Sequence, residues 1–313
     1  MRIALALPQL SYLQCPDKDG GHRMAYWQWG DLDSPHVILC VHGLSRQGRD
    51  FDVLARHLIG VDGKRCRVVC PDVAGRGHSD WFKNPMLYQV PQYAADMLAL
   101  LALLRSQGAR DIDWVGTSMG GLIGLAAAAQ PGANVRKLLL NDVGPVVQWE
   151  ALQRIKNYVG ADPRFATESE AVDALWKLSA SFGPHTPDEW LALSRPMLRQ
   201  FHAGGITGYQ LHYDPAIAEP VRATTPEMAA QGEAMLWKIY DSLACPVLVT
   251  RGADSDLLSP ATAQAMQNRG PKAQLVEFAG VGHAPTLVAS DQVQAVVKFI
   301  FEETLNNPTR QAA

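Results

Sequence analysis

A serine flanked by glycines is the residue best suited to nucleophilic chemistry in this chain. The sequence G-T-S-M-G at 116–120 follows the apolar segment 112–115 and precedes a helix-forming run at 122–129. A serine between a strand and a helix lies on a tight turn, and the two glycines leave room where a Cβ would collide with the neighbouring chain. The pattern predicts Ser118 as a nucleophile, with a helix N-terminus directed at the place where negative charge would develop.

A histidine near the other end of the chain can act as the base for this serine. His283 follows the glycines of Gly280-Val281-Gly282, after the alternating segment 273–278. Two glycines before a histidine suit a loop that carries the imidazole over the edge of a sheet. Acidic residues follow two further strand signals: Asp254 and Asp256 come after 246–250, and Asp142 comes after 137–141. Serine, acid and histidine thus each follow a predicted strand.

Strand and helix signals alternate along the parts of the chain that must position these residues. The predicted strands lie at 11–14, 24–29, 37–41, 67–70, 112–115, 137–141, 246–250 and 274–278, and the predicted helices at 51–58, 91–107, 119–129, 261–267 and 291–305. The first two strands are expected to pair as an opening hairpin. The alternation predicts an α/β fold with a mostly parallel sheet and helices on both faces, formed by 1–144 and 241–313.

The middle of the chain is predicted to be an insertion into this core. Residues 145–240 show helix-like patterns, no clear strands and frequent prolines, and they hold four tryptophans. A helical cap over the catalytic end of the sheet would place some aromatic side chains in a substrate pocket. For any one of them, packing within the cap itself is the alternative.

Composition indicates an ordinary globular protein and excludes several classes of partner. Of 313 residues, 47% are hydrophobic and 19% are charged, with a net charge of −3, so nothing indicates nucleic-acid or membrane-surface binding. The five cysteines lack CxxC or zinc-finger spacing, and the apolar segment 3–7 is too short for a signal sequence. We therefore expect a reduced, cytoplasmic protein without metal or organic cofactor. The oligomeric state is not predicted.

The order serine, acid, histidine, together with the strand–turn–helix context of Ser118, resembles the α/β-hydrolase family. His42-Gly43-Leu44 after strand 37–41 is similar to the motif that opens the oxyanion loop of that family, and 71–79 is similar to its structural P-D-x-x-G-x-G-x-S loop. The resemblance implies that the backbone amides of Leu44 and Met119 form the oxyanion hole.

Three aspartates are candidates for the acid of the implied triad. The family's usual G-x-x-D spacing falls on Ser255, so the motif is shifted by one residue. The R-G-x-x-S-D-x-L run at 251–258 is similar to that of family members in which the aspartate after the serine is used, which implies Asp256. Asp254, after the same strand, and Asp142, at an alternative place after the sixth strand, stay open.

The resemblance implies a serine hydrolase that cleaves a small-to-medium carboxylic ester or lactone through an acyl-enzyme. Ser118 would attack the carbonyl, His283 would carry the proton, and Asp256 would orient His283. Three alternatives use the same fold: hydrolysis of a C–C bond in a diketone-like substrate, acyl transfer to an acceptor other than water, and ligand binding without turnover. A serine nucleophile argues against the epoxide hydrolase and haloalkane dehalogenase branches, which use aspartate. The substrate itself is not predicted, since a fold does not name one.

Overall fold

An eight-stranded, mostly parallel sheet forms the centre of the protein, seen in a computed structural model that describes residues 7–61 and 63–302. In chain order the strands are β1 (Gln9–Cys15), β2 (His22–Gly30), β3 (His36–Val41), β4 (Arg67–Pro71), β5 (Asp111–Thr117), β6 (Lys137–Asn141), β7 (Arg164–Phe165), β8 (Leu198–Ala203), β9 (Ile206–Leu211), β10 (Val247–Gly252) and β11 (Gln274–Phe278). All except β7 to β9 belong to the large sheet.

The strand order of the large sheet is β1-β2-β4-β3-β5-β6-β10-β11. The opening hairpin of β1 and β2 is antiparallel, as predicted. The other six strands of the large sheet run parallel to one another; they are β3, β4, β5, β6, β10 and β11. Thr117, Asn141 and Thr250 pair in register across β5, β6 and β10. The carboxyl ends of these strands therefore lie side by side, and the loops that follow them meet at one edge of the sheet.

Ten α-helices accompany the strands in the described part of the chain. They are α1 (Asp52–Ile59), α2 (Val90–Ser106), α3 (Met119–Ala128), α4 (Trp149–Tyr158), α5 (Glu168–Leu178), α6 (Pro187–Ser194), α7 (Ala218–Ala223), α8 (Pro226–Asp241), α9 (Pro260–Asn268) and α10 (Ser290–Phe301). No helix among these is both long and apolar enough to cross a membrane.

The helices cover both faces of the large sheet, which confirms the predicted α/β architecture. On one face Leu58 of α1 and Val296 of α10 pack in one apolar cluster, and on the other face Met97 of α2 packs in a second cluster with Ile123 of α3. Burial on both faces explains why the parallel strands are continuous apolar runs. The last helix is described as far as Phe301, so the predicted extension to 305 and the chain ends 1–6 and 303–313 lie outside the described residues.

Residues 145–240 are mixed helix and strand, and the prediction of a segment without strands is wrong. Here β8 and β9 form an antiparallel hairpin, and β7 pairs with the outer side of β9. The turn of the hairpin is Gly204-Gly205, both with positive φ, of 58° and 78°. A two-residue turn of this kind is typical of glycine pairs, because they adopt positive φ without a steric penalty.

A buried ion pair joins the opening hairpin to the helical layer. The two ring nitrogens of His22 contact Asp17 at 2.9 Å and Asp96 of α2 at 3.1 Å, and His22 is only 4% exposed. Burial alone would lower the pKa of His22, but the hydrogen bonds and charges of Asp96 and Asp17 outweigh it and raise the pKa. The imidazolium is therefore favoured in the folded protein.

We expect His22→Gln to lower the free energy of unfolding by about 3–5 kcal/mol at pH 6, because two carboxylates lose their buried cation. A raised folded-state pKa contributes stability that is complete below the unfolded value of about 6.5 and is lost as the pH rises through the folded-state pKa. The deficit of the variant should therefore shrink in alkaline solution. Urea unfolding from pH 5.5 to pH 10 measures it, with the exposed His57→Gln in α1 as the control. An equal deficit at every pH would contradict a charged His22.

Candidate active site

Ser118 lies on a strained turn between β5 and α3. Its backbone has φ 52° and ψ −117°, which a non-glycine residue adopts only when its surroundings enforce it. A Cβ on Gly116 would overlap the backbone of Gly120, and a Cβ on Gly120 would overlap the Val41 carbonyl oxygen. Both glycines are thus required by the close approach of neighbouring backbone, as the sequence indicated.

His283 connects Ser118 to a buried carboxylate. The Nδ1 atom of His283 lies 2.7 Å from Asp142 Oδ2, and its Nε2 atom lies 3.0 Å from Ser118 Oγ. Because the carboxylate accepts a hydrogen bond from Nδ1–H, the Nε2 atom carries no proton and can accept a hydrogen bond from the serine hydroxyl. This arrangement of hydroxyl, imidazole and carboxylate is the one that activates a serine for attack on a carbonyl carbon.

The structure corrects the sequence-based choice of Asp256 as the partner of His283. Asp256 is about half exposed, and its carboxylate accepts two hydrogen bonds from Arg154 of α4, at 2.7 and 2.9 Å. Asp254 is also exposed at the surface. Asp142, the alternative after β6, is fully buried and occupies the place next to His283.

The loop after β10 holds the acid instead of supplying it. The Gly252 backbone N–H donates to Asp142 Oδ1 at 3.1 Å, and the Ser255 hydroxyl donates to Asp142 Oδ2 at 2.7 Å. Ser255 stands where the usual G-x-x-D spacing would place an aspartate, which explains the shifted motif. The acid therefore comes from the end of β6 and not from the loop after β10. Ser255, at the position of the expected acid, donates a hydrogen bond to it.

Asn141, the last residue of β6, joins three segments of the site and was missed in the sequence. Its amide nitrogen donates to Thr117 Oγ1 and to the Pro285 carbonyl oxygen, and its amide oxygen accepts from Thr250 Oγ1. The side chain is completely buried, and these bonds satisfy it. They fix the serine turn and the His283 loop relative to each other. A polar residue at the end of an apolar strand was the available signal.

The amides predicted to form the oxyanion hole belong to Met119, directly after Ser118, and to Leu44, whose neighbour Gly43 would place a Cβ 3.7 Å from the Ser118 Cβ. Among the loop, turn and cap hydrogen bonds of the described residues, the N–H groups of Leu44 and Met119 donate to no backbone carbonyl. His42 Nδ1 donates to the Gly43 carbonyl oxygen at 2.7 Å, and its Nε2 accepts from Val73 N–H at 2.9 Å. The carbonyl held by His42 belongs to the same peptide as the Leu44 N–H, so His42 fixes the direction of that amide.

The imidazole of His42 is neutral in this position. Burial lowers the pKa of His42 to about 3, and the nearby positive charges of Arg76 and Arg46 act in the same direction. A neutral ring with one donor and one acceptor nitrogen matches its two hydrogen bonds. His42 is therefore suited to ordering the loop and unsuited to carrying a catalytic proton.

Part of the 145–240 segment contacts the loops of the site. The Ser181 hydroxyl donates to the His283 carbonyl oxygen, and Gly282 N–H donates back to the Ser181 carbonyl oxygen. Phe182 and Leu193 line a small cavity of about 30 Å³ beside the serine turn. The other side of this cavity is formed by residues near Ser118, Leu44 and His283 in the chain, among them His42, Thr117, Ala284 and Pro285.

Away from this site, one cluster within the described residues has side-chain types that could bind a metal ion. The ligand atoms of Cys15, His22 and Asp96 lie within 4.8 Å of one another. Both nitrogens of His22 are already engaged by carboxylates, and burial raises the pKa of the Cys15 thiol to about 12, with the charges of Asp96 and Asp17 adding to the effect. Because both ring nitrogens of His22 are hydrogen-bonded to carboxylates, we describe the group as an internal ion pair.

Comparison with known proteins identifies the family. The sequence matches the description "Alpha/beta hydrolase family" over residues 38–299, and the chain belongs to this family. The match extends from β3 to α10 and so includes every strand end that contributes to the site.

Individual members of this family that resemble the chain are hydrolases. The chain is 48% identical to a 3-hydroxybutyrate-oligomer hydrolase of Cupriavidus necator, over 94% of this chain and 98% of that protein. It is 27% identical to Lipase 1 of Psychrobacter immobilis, over 87% of this chain and 78% of the lipase. A crystal structure of an α/β hydrolase from Novosphingobium aromaticivorans superimposes with a TM-score of 0.79 at 37% identity, covering 95% and 99% of the two chains. These relatives support a hydrolase.

The two aspartates give a direct test of the geometry. We expect Asp142→Asn to lower kcat on p-nitrophenyl butyrate by up to about 10⁴-fold, because an amide cannot stabilise the imidazolium and favours the wrong tautomer of His283. Asp256→Asn removes only a surface ion pair with Arg154 and should leave kcat within about twofold. Steady-state kinetics of both variants at one pH decides the matter. The opposite ranking would return Asp256 to the triad.

Proposed function

We propose that the protein is a serine hydrolase that cleaves the ester bonds of short 3-hydroxybutyrate oligomers through an acyl-enzyme. The observation that carries this proposal is the continuous hydrogen-bonded path from Ser118 through His283 to Asp142. The relative of Cupriavidus necator, similar over nearly the full length of both chains, supports the choice of substrate. Ester hydrolysis by serine requires no metal or organic cofactor, because the triad supplies both nucleophile and base.

The first half of the proposed reaction transfers the acyl group to the protein. His283 Nε2 takes the hydroxyl proton while Ser118 Oγ attacks the ester carbonyl carbon. The carbonyl oxygen becomes negative, and the amides of Leu44 and Met119 stabilise it. A donor of this kind is worth about 3–4 kcal/mol in a comparable site. The intermediate then collapses as the imidazolium protonates the leaving hydroxyl oxygen, which releases the alcohol end of the oligomer.

The second half reverses these roles with water as the nucleophile. His283 accepts a proton from water, which attacks the acyl-serine, and returns it to Ser118 Oγ when the acid is released. Asp142 stays ionised throughout and holds the imidazole in the productive tautomer. For an oligomer, the released acid carries a hydroxyl group and the released alcohol carries a carboxylate, so each cycle yields two shorter hydroxy acids.

We further propose that residues 145–240 act as a cap that limits the size of the substrate. The contacts of Ser181 with the His283 loop support this role, as does the position of Phe182 and Leu193 in the wall of the cavity. Phe182 and Leu193 share this cavity with Thr117 and Ala284, the chain neighbours of Ser118 and His283, so a long acyl chain bound at Ser118 would meet their side chains. An enclosed apolar wall favours binding by about 0.8 kcal/mol per buried methylene until the space is filled.

The substrate is tested with purified protein and the dimer and trimer of (R)-3-hydroxybutyrate. We expect release of the free monomer, measured by liquid chromatography, and covalent labelling of Ser118 by a fluorophosphonate, located by peptide mass spectrometry. Ser118→Ala should abolish both, and Ser106→Ala, at an exposed helix end, should change neither. If p-nitrophenyl esters are cleaved but the oligomers are not, the substrate is wrong while the reaction stands. If neither is cleaved, the reaction is wrong too, and assays with diketones and acyl acceptors follow.

The cap is tested with a chain-length series of p-nitrophenyl esters from acetate to palmitate. We expect kcat/KM to rise over the first few methylenes and then to fall once the acyl chain meets the wall that contains Phe182 and Leu193. Phe182→Ala should move the maximum towards longer chains, because it enlarges the cavity. A steady rise up to palmitate in the wild type would contradict an enclosed pocket.

A further inference from the structure

We propose that Arg76 is a positioning residue of the oxyanion hole, and that its buried positive charge stabilises the tetrahedral intermediate. This inference rests on the proposed ester hydrolysis and adds to it a residue outside the triad. Arg76 lies in the loop after β4 that the sequence indicated to be structural. Its side chain contacts both residues whose amides are proposed to bind the oxyanion.

The guanidinium holds the backbone of Leu44 and contacts the side chain of Met119. Arg76 Nε donates to the Leu44 carbonyl oxygen at 2.8 Å, and Arg76 Nη2 lies 3.7 Å from the thioether sulfur of Met119. His42 fixes the peptide before Leu44 through the Gly43 carbonyl, and Arg76 fixes the peptide after it. The Leu44 N–H is thus held from both sides, and a preorganised donor needs no rearrangement when charge develops.

The remaining contacts of Arg76 are neutral. Arg76 Nη1 donates to the Ala74 carbonyl oxygen at 2.7 Å and to the Tyr93 hydroxyl at 2.8 Å, and the guanidinium also lies against the Tyr93 ring. The nearby Asp214 carboxylate accepts from the Tyr88 hydroxyl and forms no ion pair with Arg76. The side chain is completely buried. The positively charged guanidinium of Arg76 therefore lies next to the proposed oxyanion hole and has no carboxylate partner among the described residues.

Such a charge is costly in the resting protein and becomes favourable when an anion forms nearby. Desolvation makes an unpaired buried cation unfavourable unless hydrogen bonds or π-faces compensate it, as the carbonyls and Tyr93 do here. An oxyanion bound to Leu44 and Met119 would interact with this charge through a medium of low polarity, where Coulomb attraction is strong. The attraction exists only in the transition state and intermediate, so it raises kcat and leaves substrate binding almost unchanged.

The cap segment contributes to the position of Arg76. Gly77 N–H donates to the His212 carbonyl oxygen at 3.0 Å, and Asp214 N–H donates to the Gly75 carbonyl oxygen at 2.7 Å. These bonds bracket Arg76 on both sides in the chain, so residues 212–214 hold the loop that carries it. The proposed oxyanion hole thereby depends on backbone hydrogen bonds made by residues 212–214.

The test compares Arg76→Gln with Arg67→Gln. Arg67 is also a buried arginine with neutral partners, Gln28 and Leu32, but it begins β4 at the opposite end from the site. We expect Arg76→Gln to lower kcat per active site, counted by burst titration, by about 10–100-fold with KM within about threefold, which is below the loss of a direct donor. Arg67→Gln should keep kcat, whatever its effect on urea unfolding. An unchanged kcat in Arg76→Gln would overturn the proposal.

A second measurement separates the oxyanion hole from general disruption and from the proposed function. A trifluoromethyl ketone forms an anionic adduct with an active-site serine, and the matched methyl ketone serves as the ground-state analogue. We expect Arg76→Gln to reduce the ratio of their affinities by about the same factor as kcat, and Arg67→Gln to leave it unchanged. A lower kcat with an unchanged ratio would overturn the proposal. The ratio is measurable even if the oligomers are not the substrate, so failure of one proposal is distinguishable from failure of the other.

The variant Arg76→Lys keeps the positive charge but lacks the planar guanidinium with its several donors. It tests the proposal if Arg76→Gln does not fold. A lysine cannot hold Leu44 and the Met119 sulfur at once, so we expect a smaller but measurable loss, of at least about threefold, in both kcat and the affinity ratio. Wild-type values in both measurements would overturn the positioning role of the guanidinium.

Discussion

The carboxylate of Asp142 is the group on which the geometry of the site depends. It accepts hydrogen bonds from the His283 ring in the loop after β11, from the Ser255 hydroxyl in the loop after β10, and from the backbone N–H of Gly252 at the end of β10. A buried carboxylate is stable only when its lone pairs are satisfied, so each donor also keeps the others in place. The bond to His283 in turn fixes the nitrogen that faces Ser118.

The sheet makes this convergence possible because it aligns the ends of neighbouring strands. Ser118 and Asp142 each follow a strand directly, and both have a positive φ, of 52° and 56°. Such a backbone costs of order 1–3 kcal/mol for a residue other than glycine, so the neighbouring contacts must hold it in place. The Asn141 side chain and the tight packing around the glycines of the serine turn provide these contacts. Strain at both positions turns their side chains out of the strands and towards His283.

Much of this arrangement could be predicted from the sequence, because local signals determine it. Continuous apolar runs predicted the parallel strands, and the glycines around Ser118 predicted a close backbone approach that the structure confirms. The acid could not be chosen in the same way. Asp142 and Asp256 have the same chemistry and both follow strands, and only the direction of each side chain distinguishes them. That direction depends on the backbone turn after each strand, which spacing alone does not specify.

Two other features were missed for different physical reasons. The helix-like patterns of 145–240 favoured a helical interpretation, although the Gly204-Gly205 pair between two short segments was a sound hairpin signal. The role inferred for Arg76 was missed because a charged residue within a loop motif is usually solvent-exposed. Its burial arises from contacts with Leu44 and Tyr93, which are distant in sequence.

The carboxylate next to His283 follows β6 and not β10, and this affects which substitutions the site can tolerate. Since Asp254 and Asp256 are exposed, we expect substitutions at these two positions to have little effect on activity. Ser255 between them is constrained by its hydrogen bond to Asp142. Under the proposed mechanism, a homologue with asparagine at 256 would keep its activity, and one that kept Asp256 but lost Asp142 would lose it. A search that considers only the aspartates after β10 would misclassify both homologues.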